Sequence, residues 1–292
     1  MIVKQNEIKT LLDALPYIKE FRGKIVVIKY GGSAQTSPEL QEKFAQDITL
    51  LQLVGIKPVI VHGGGAKITE MLTKLQIPSQ FIDGHRVTCE DSMRIVEMVL
   101  SGEINKNITS LLNYHGTKSI GISGKDSNCI EAIAKDGGKF GYTGEVTSIN
   151  ADMIKNLIDE GFVPVIAPIA NSEKPNHPGF NINADIAASK IAIALSAEKV
   201  LFLTDTKGVL NKDGELLHSL DKADVDNYKR NNTIAGGMIP KVDSCIECIY
   251  NGVKKAHVID GRVEHSILLE IFTSEGIGTQ FLQKQNFNYD KR

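Results

Sequence analysis

The chain has 292 residues, of which 42% are hydrophobic and 23% are charged, and its formal net charge is −2. This composition is typical of a globular protein with a large core, and a nearly neutral chain without a basic tail makes nucleic acid and anionic membrane surfaces poor candidates as main partners. No apolar stretch approaches the roughly 18 residues of a membrane-spanning helix, and the N-terminal residues lack the apolar block of a signal peptide, so we expect a cytoplasmic protein.

The N-terminal segment carries apolar residues at helical spacing, with Pro16 as an expected kink, before the first core strand. This stripe consists of Ile8, Leu11, Leu12, Leu15 and Ile18. A helix added to a complete domain needs a surface on which to bury such a stripe. The stripe packs either on its own domain or on another subunit, and we favour the second.

Short runs rich in Val and Ile recur along the rest of the chain, most of them ending in glycine or a turn. They mostly lack alternation with polar residues, which is typical of strands buried on both faces of a parallel sheet. Segments with helical periodicity separate them, so the pattern predicts an α/β sandwich with a largely parallel sheet. The predicted strands lie at 24–32, 57–65, 118–126, 162–170, 198–208 and 254–262, and the predicted helices at 38–54, 66–76, 90–101, 104–114, 151–160, 184–196 and 240–251.

Two loop-like stretches interrupt this alternation. Residues 135–150 contain several glycines and predict a hairpin or loop insertion. Residues 171–183 are rich in Pro and Asn and are a candidate junction between two lobes.

Four cysteines are too few to suggest a disulfide scaffold in a chain of this length. Cys245 and Cys248 form a C-x-x-C, but no second close pair of ligands is present to complete a zinc site. The surrounding apolar periodicity predicts a helix, so we expect two half-buried thiols without metal or redox chemistry.

The usual nucleotide-binding motifs are absent. A P-loop requires G-x-x-x-x-G-K-[ST], whereas Gly124 and Lys125 are followed by Asp126, and Ser119 stands where the first glycine should be. A dinucleotide fingerprint requires G-x-G-x-x-G, whereas "HGGGAKI" has Ile68 in place of the last glycine. Any phosphate must therefore be bound in another way.

Lys29 ends the apolar run "KIVVIK", and Gly31 and Gly32 come close behind it. A lysine entering a buried strand is costly unless it reaches solvent or an anion. Lysine and bare glycine amides at the carboxyl end of a strand indicate a phosphate-binding arrangement. A lysine that reaches solvent before an ordinary turn is the alternative.

The sequence "HGGGAK", at 62–67, leads from the second predicted strand into a helix. Glycines let the backbone approach a ligand closely, and the positive end of the helix dipole favours an anion at the same place. An ordinary strand–helix turn, the alternative, needs one or two glycines rather than three.

Two later helix starts carry the remaining signals. Capping explains Asn183 and Asp185 in "NINAD", but it does not explain Asn181. In "GGMIPK", Gly236 and Gly237 precede a helix in which Lys241 lies near the positive end of the dipole, the wrong end for a cation unless an anion binds there too.

In chain order the motifs "KYGG…HGGG…GHRVT…GISGKD…NINADIAA…LTDTKGV…GGMIPK…GIGT" resemble the amino acid kinase family, and most closely its arginine-sensitive members that act on N-acetyl-L-glutamate. The resemblance extends from about residue 7 to 283 and rests on the whole set of motifs. It implies a three-layer αβα sandwich with a largely parallel central sheet and an added N-terminal helix. The implied division is an oligomerisation helix at 1–22, an amino-acid-binding lobe at 23–180, and a lobe at 181–292 for ATP and arginine.

The resemblance also implies a reaction, the transfer of the γ-phosphoryl group of ATP to the γ-carboxylate of N-acetyl-L-glutamate in arginine biosynthesis, with Mg²⁺ carried by the nucleotide. The implied catalytic residues are Lys29, Lys241 and Asp185, with the backbone N–H groups of Gly32 and Gly64 on the phosphoryl group. The implied substrate-binding residues are Gly64, Gly65, Arg86 and Asn181, and the implied ATP-binding residues are Asp205, Thr206, Lys207, Gly208, Ile234, Gly236, Gly237 and Met238.

Regulation is implied as well, because arginine-inhibited members of the family carry an extra N-terminal helix and a similar C-terminal stretch. We therefore expect a hexamer that L-arginine inhibits. The implied arginine site consists of Tyr17, Lys207, His257, Glu270 and Gly276; a surface carboxylate on a terminal helix is the alternative for Glu270. His85 departs from the apolar residue common at this position in the family, and we do not expect it to change the reaction.

Other functions remain as alternatives at this stage. Kinases for glutamate, aspartate, carbamate or aminoadipate share the scaffold, although Arg86 in "GHRVT", together with "NINAD", favours the acetylated amino acid. A non-catalytic arginine sensor would have lost the two lysines or the aspartate, and this chain keeps all three.

Overall fold

A sheet of eight strands forms the middle of the molecule in the computed structural model, which describes residues 2–82 and 85–283. Six of the fourteen strands in the described residues agree in position with the six predicted ones and are shorter, because each prediction included the turn that follows. The strands are β1 (Ile25–Tyr30), β2 (Lys57–His62), β3 (Gln80–Ile82), β4 (His85–Val87), β5 (Ser119–Ser123), β6 (Ile130–Ala134), β7 (Gly144–Ile149), β8 (Val163–Ala167), β9 (Ile169–Ala170), β10 (Phe180–Asn181), β11 (Lys199–Thr204), β12 (Ser219–Leu220), β13 (Lys255–Asp260) and β14 (Thr279–Phe281).

Six consecutive strands of the large sheet are parallel to their neighbours, in the order β13-β11-β1-β2-β8-β5. β14 pairs antiparallel with β13 and parallel with β12, which completes that side of the sheet. The central strands are buried on both faces, and Val26, Val27 and Ile28 are fully buried. Because parallel strands end at the same edge, the glycine loops after β1 and β2 come together there.

Helices cover both faces of this sheet. They are α1 (Ile2–Phe21), α2 (Ser33–Thr36), α3 (Pro38–Leu53), α4 (Gly65–Lys74), α5 (Glu90–Glu97), α6 (Asn105–Tyr114), α7 (Ala151–Asp159), α8 (Ala184–Ala194), α9 (Lys222–Arg230), α10 (Met238–Tyr250) and α11 (Ser266–Phe272). Side chains of α7, α8, α9 and α10 share a core with one face of the sheet, and those of α3, α6 and α11 share a core with the other. This arrangement confirms the three-layer sandwich. The predicted insertion at 135–150 contributes to a hairpin in which β6 pairs antiparallel with β7.

A π-helical segment, Met98–Ile104, makes one continuous helix of the two predicted at 90–101 and 104–114, so the predicted break is wrong. That break fell beside Gly102, a residue type that weakens helices. In the structure the segment forms a widened turn, and a Cβ built on Gly64 would lie 2.6 Å from Leu100 Cδ2. The π-helical segment therefore packs against the glycine loop that follows β2. This rare helix type is frequent at functional sites.

α1 runs through Pro16 as one helix, but its apolar stripe is largely exposed. Ile8, Leu12 and Leu15 are 58%, 59% and 40% exposed, so these residues are not buried on their own domain. The last residue of the helix, Phe21, is buried in the same core as the side chains of α11. Neither α1 nor any other helix in the described ranges is apolar enough over a sufficient length to cross a bilayer.

Cys245 and Cys248 are fully buried on α10 rather than half-buried as expected. The reason is that α8, whose residues are mostly small, lies close to α10, and Cys248 Sγ is 3.8 Å from Ser189 O. Burial raises the pKa of both thiols, which keeps them protonated. The two cysteines therefore act as small core residues.

Candidate active site

A cleft of about 1260 Å³ opens at the edge where β1 and β2 end. Small-ligand pockets usually measure roughly 300–1,000 Å³, so this cleft has room for more than one ligand. It is lined by most of the residues predicted to touch the substrate or the phosphoryl group: Lys29, Gly32, Gly64, Gly65, Arg86, Asn181 and Asp185, together with Asp205. Lys241 adjoins the cleft through its ion pair with Asp185.

Asp185 lies between the two predicted lysines. Its Oδ1 is 3.3 Å from Lys29 Nζ, and its Oδ2 accepts a hydrogen bond of 2.8 Å from Lys241 Nζ. Strand alternation places Lys29 on the same face of β1 as Val27, whose side chain shares the core of α8. Asn183 caps α8 by accepting from the backbone N–H of Asp185 at 2.8 Å. Capping therefore sets the position from which the carboxylate reaches both lysines.

Burial and charge oppose each other at Asp185, which is 5% exposed. Burial raises the pKa of this carboxyl, but the charges of Lys29 and Lys241, with the hydrogen bond from Lys241, outweigh burial and hold the pKa below its usual value. The carboxylate is therefore ionised at neutral pH. Two ammonium groups around one carboxylate leave one excess positive charge, which an anion in the cleft would neutralise.

Two glycine loops border the cleft. In the first, Gly32 has a φ of 68°, a conformation that favours glycine, and a Cβ there would lie 2.7 Å from Asp205 Oδ1. The backbone N–H of Ser33 donates to the same oxygen at 2.7 Å, so a carboxylate that follows β11 holds this loop. In the second loop, the N–H of Gly63 donates to Tyr30 O at 2.8 Å, which ties the two loops together.

Helix α4 begins at the second loop, with Gly64 as its N-cap residue and no side-chain cap. Across the part of the chain that the structure describes, the N–H of Gly64 has no acceptor. Unpaired N–H groups at a helix N-terminus form an anion-binding site. A Cβ on Gly64 would lie 2.5 Å from Ile104 Cδ1, so close packing is a second reason for glycine here.

Arg86 reaches the same helix end from β4 and is 7% exposed. Its guanidinium donates to Thr69 Oγ1 at 2.9 Å, to Gly65 O at 3.2 Å, and to Ser79 Oγ. Burial lowers the pKa of Arg86, but a guanidinium stays charged in proteins. No carboxylate in residues 2–82 or 85–283 pairs with it, so it too carries charge that an anion would balance.

Asn181 is linked to the backbone of Arg86 through two threonines. Its Nδ2 donates to Thr88 Oγ1 at 3.2 Å, the hydroxyls of Thr88 and Thr143 are 2.9 Å apart, and Thr143 donates to the carbonyl of Arg86. The chain of bonds places Asn181 and Arg86 on one wall of the cleft. The side chain of His85 lies outside the described residues.

The predicted ATP-binding residues are less closely gathered than the others. Asp205 lines the cleft, whereas the remaining ones do not. Gly208 has a φ of 143° and packs against Thr279, and Ile234 is buried in the core. The others lie on or near the surface: Thr206 and Lys207 in the turn after β11, Gly236 and Gly237 before α10, and Met238 at its start.

Three of the predicted arginine-site residues meet at Glu270. Glu270 is 5% exposed, so the alternative of a surface carboxylate is wrong. Its Oε1 is 2.9 Å from Lys199 Nζ and 3.1 Å from His257 Nε2, and its Oε2 accepts from the N–H of Ile277 at 3.1 Å. Gly276 has a φ of 62°, and a Cβ there would lie 2.7 Å from Glu270 Oε2. These contacts occupy both oxygens of the carboxylate.

Lys199 was not among the predicted residues, and the structure does not bring Lys207 to this cluster. Lys199 begins β11, whereas Lys207 follows the other end of that strand, so the length of the strand separates them. Tyr17 is half-buried on α1. Lys29 was singled out because a lysine adjoins a buried apolar run, and "EKVLFLT" offers the same signal for Lys199 at the other end of its strand.

Residues 24–260 match the sequence profile of the Amino acid kinase family. The chain is 72% identical over 282 residues to the acetylglutamate kinase of Aliarcobacter butzleri, and the match covers 97% of this chain and 94% of that protein. It is 63% identical over 276 residues to the acetylglutamate kinase of Wolinella succinogenes, with 94% of this chain and 97% of that protein covered.

Solved structures share the fold. The N-acetylglutamate synthase of Neisseria gonorrhoeae, complexed with coenzyme A and N-acetyl-glutamate, superimposes with a TM-score of 0.85 at 24% identity over 95% of this chain, which spans 64% of that longer chain. The protein smu.665 of Streptococcus mutans UA159 matches with a TM-score of 0.76 at 30% identity, over 88% of this chain and 98% of that one. The carbamate kinase of Giardia lamblia bound to AMP-PNP matches with a TM-score of 0.68 at 18% identity, over 89% of this chain and 99% of that one.

The substitution Lys199→Met tests the buried ion pair at Glu270. It leaves a carboxylate buried without its cation, so we expect the free energy of unfolding at pH 7 to fall by about 3–5 kcal/mol in urea denaturation. The matched control is Lys222→Met, which breaks an exposed pair with Asp226 and should change that free energy by about 0.5 kcal/mol or less. Equal effects of the two substitutions would contradict a structural contribution from Lys199.

Proposed function

The chain belongs to the amino acid kinase family and is a phosphotransferase, and from this premise we propose that it transfers the γ-phosphoryl group of ATP to the γ-carboxylate of N-acetyl-L-glutamate. The observation that carries the proposal is the buried carboxylate of Asp185 between Lys29 and Lys241, at a cleft bordered by two glycine loops. The choice of substrate is supported by relatives named acetylglutamate kinase at 72% and 63% identity.

The chemistry of this reaction suits the residues of the cleft. The nucleophile is a carboxylate with a pKa of roughly 4.3, which is ionised at neutral pH, so no general base is needed. The main difficulty is to bring one anion against another, and it is met by positioning and by positive charge. In our proposal Lys29 and Lys241 stabilise the charge of the phosphoryl group, the N–H groups of Gly32 and Gly64 donate to it, and Asp185 holds both lysines in place.

Arg86 supports the proposed amino-acid site. A planar guanidinium binds a carboxylate through two parallel hydrogen bonds, and Arg86 is a buried cation that has no carboxylate partner within the described residues. We assign it to the α-carboxylate of N-acetyl-L-glutamate. Gly64, Gly65 and Asn181, which line the same cleft, contact the remaining polar groups of the substrate.

We place ATP beside the carboxyl end of β11. The excess positive charge at Asp185 and the N–H of Gly64 fit its phosphates, and Mg²⁺ enters with the nucleotide, held mainly by the phosphates. The proposed base and ribose contacts come from 205–208 and 234–238; Gly208 and Ile234, being packed, contribute through the backbone. Residues 23–180 then form the amino-acid lobe, and 181–292 form the nucleotide lobe.

Regulation by L-arginine, in a cytoplasmic hexamer assembled through α1, completes the proposal. The exposed stripe of α1 supports it, because burying Ile8, Leu12 and Leu15 against another subunit would be favourable at roughly 25 cal/mol per Å². The cluster of His257, Glu270 and Gly276 supports an arginine site near α1, with Tyr17 beside it. Lys199 takes the place of Lys207 as the neighbouring cation.

Acceptor choice is tested with ATP and a panel of N-acetyl-L-glutamate, L-glutamate, L-aspartate, carbamate and L-2-aminoadipate. We expect N-acetyl-L-glutamate to be preferred over L-glutamate by about a hundredfold in kcat/KM, because the free ammonium group of glutamate would be desolvated near Arg86. ADP release and hydroxylamine trapping of the acyl phosphate measure turnover. Equal rates on glutamate and N-acetyl-L-glutamate would exclude the proposed substrate.

The two lysines are tested by Lys29→Ala and Lys241→Ala. Each removes one preorganised cation beside the phosphoryl group, so we expect kcat to fall by about a hundredfold or more. Lys67→Ala is the matched control, because Lys67 also lines the cleft but pairs with Glu70 and Glu103 at its mouth; its kcat should stay within about threefold. Activity of the first two variants within a few-fold of wild type would refute the assignment.

The N-terminal helix is tested by deleting residues 1–15, which spares the buried Phe21. We expect dimers in light scattering, and an increase of about tenfold in the arginine concentration that half-inhibits the enzyme. The full-length double variant Leu12→Glu, Leu15→Glu should behave in the same way, because it places charge on the exposed stripe. Hexamers after the deletion would exclude residues 1–15 of α1 from the assembly.

A further inference from the structure

His62, the last residue of β2, is fully buried and has no place in the mechanism above. Burial lowers the pKa of its imidazole to about 4, with smaller opposing and reinforcing effects from Gly63 and Lys106. The ring is therefore neutral at pH 7 and has one N–H donor and one acceptor nitrogen. Its neighbours decide which nitrogen holds the proton.

Asn105 selects the tautomer of His62. Its Nδ2 lies 3.1 Å from Ile122 O and 2.9 Å from Val165 O, and because backbone carbonyls only accept, the amide nitrogen must face them. The same nitrogen is 3.2 Å from His62 Nε2. Because an amide nitrogen donates and does not accept, Nε2 must be the acceptor of this pair. The proton resides on Nδ1, which donates to Gly63 O at 3.0 Å.

The carbonyl oxygen of Gly63 accepts a second hydrogen bond, from Gln35 Nε2 at 2.9 Å. Gln35 lies on α2, which follows the first glycine loop, and its backbone carbonyl accepts from Gln41 Nε2 at 2.6 Å. Two donors from different elements thus hold one oxygen. They fix the plane of the peptide between Gly63 and Gly64.

A fixed carbonyl also fixes the neighbouring donor. The peptide is trans, so the N–H of Gly64 points opposite to the carbonyl of Gly63. Within the described ranges this N–H has no acceptor, and Gly64 lines the cleft. Without such restraint, two consecutive glycines would let the direction of the N–H vary widely.

We propose that Gln35, His62 and Asn105 are positioning residues that aim the N–H of Gly64 at the transferring phosphoryl group. The inference rests on the phosphoryl transfer proposed for this cleft. A donor accelerates the reaction most when it is oriented before charge develops, because no reorganisation is then needed in the transition state. Gln35 also joins the two glycine loops, in addition to the hydrogen bond from the N–H of Gly63 to Tyr30 O.

Gln35→Met is the first test, because methionine has similar length but lacks the donor. We expect kcat to fall by about tenfold or more while KM for ATP and for N-acetyl-L-glutamate stays within about threefold, since the lost interaction belongs to the transition state. Gln52→Met is the matched control: Gln52 Nε2 also donates to a backbone carbonyl, Gly161 O at 2.9 Å, but it does not line the cleft. Its kcat should stay within about threefold.

A pair of substitutions at His62 separates positioning from stability. Asparagine retains a donor near the place of Nδ1, whereas leucine suits a buried site but cannot donate. We expect the midpoint of urea unfolding to be at least as high for His62→Leu as for His62→Asn. The leucine variant should nevertheless have the lower kcat. A purely structural contribution would make kcat follow stability across the pair.

A folded Gln35→Met variant with kcat within about threefold of wild type would overturn the inference, as would a kcat that follows stability at His62. Binding of ADP with aluminium fluoride, a mimic of the transferring group, adds an independent readout: Gln35→Met should weaken it and leave the binding of ADP alone unchanged. A wild-type protein inactive on N-acetyl-L-glutamate contradicts the proposed substrate instead. The same variants are then compared on whichever acceptor of the panel is turned over.

Discussion

The ion pairs of one buried carboxylate with two lysines organise the cleft of this protein. Burying charge is costly unless it is paired, and Asp185 is held by Lys29 from the sheet and by Lys241 from α10. Strand alternation directs the first lysine, and the cap of α8 by Asn183 places the carboxylate. Because the three residues belong to β1, α8 and α10, the packing of these elements sets the distances between the charges. The ion pairs in turn hold the elements together.

A second buried cluster provides a contrast in charge. At Glu270, one carboxylate meets the single ammonium group of Lys199, while burial and nearby lysines lower the pKa of His257 and keep its ring neutral. That cluster is balanced, whereas the cluster at Asp185 has one positive charge in excess. A balanced buried pair needs no further ligand to be stable, and an unbalanced one attracts an anion. The difference in charge separates a site suited to phosphate from the proposed arginine site at Glu270, which also joins α11 to the sheet.

The glycine loops combine freedom with restraint. Bare backbone leaves the N–H of Gly64 accessible, but glycine alone would leave its direction undefined. Side chains from three other elements, Gln35, His62 and Asn105, restrict it, and the π-helical segment packs on it from another side. A loop that is flexible in isolation is thus made rigid by its surroundings, as a preorganised donor requires.

Local periodicity and motif order were enough to predict the layers of the sandwich and the positions of six of its strands. They also singled out Lys29, Asp185 and Lys241, which the structure brings together. Each of these signals lies within a few consecutive residues. Features that depend on contacts between distant parts of the chain could not be predicted from such local signals. The continuous helix through Gly102, the full burial of Cys245 and the partner of Glu270 all depend on which elements pack together. Lys199 and Lys207 stand eight positions apart in one predicted strand segment, 198–208, and only the bounds of β11 show that they lie at opposite ends of the strand. Proximity along the chain is visible in a sequence, whereas burial and pairing are decided by contacts between elements far apart in it.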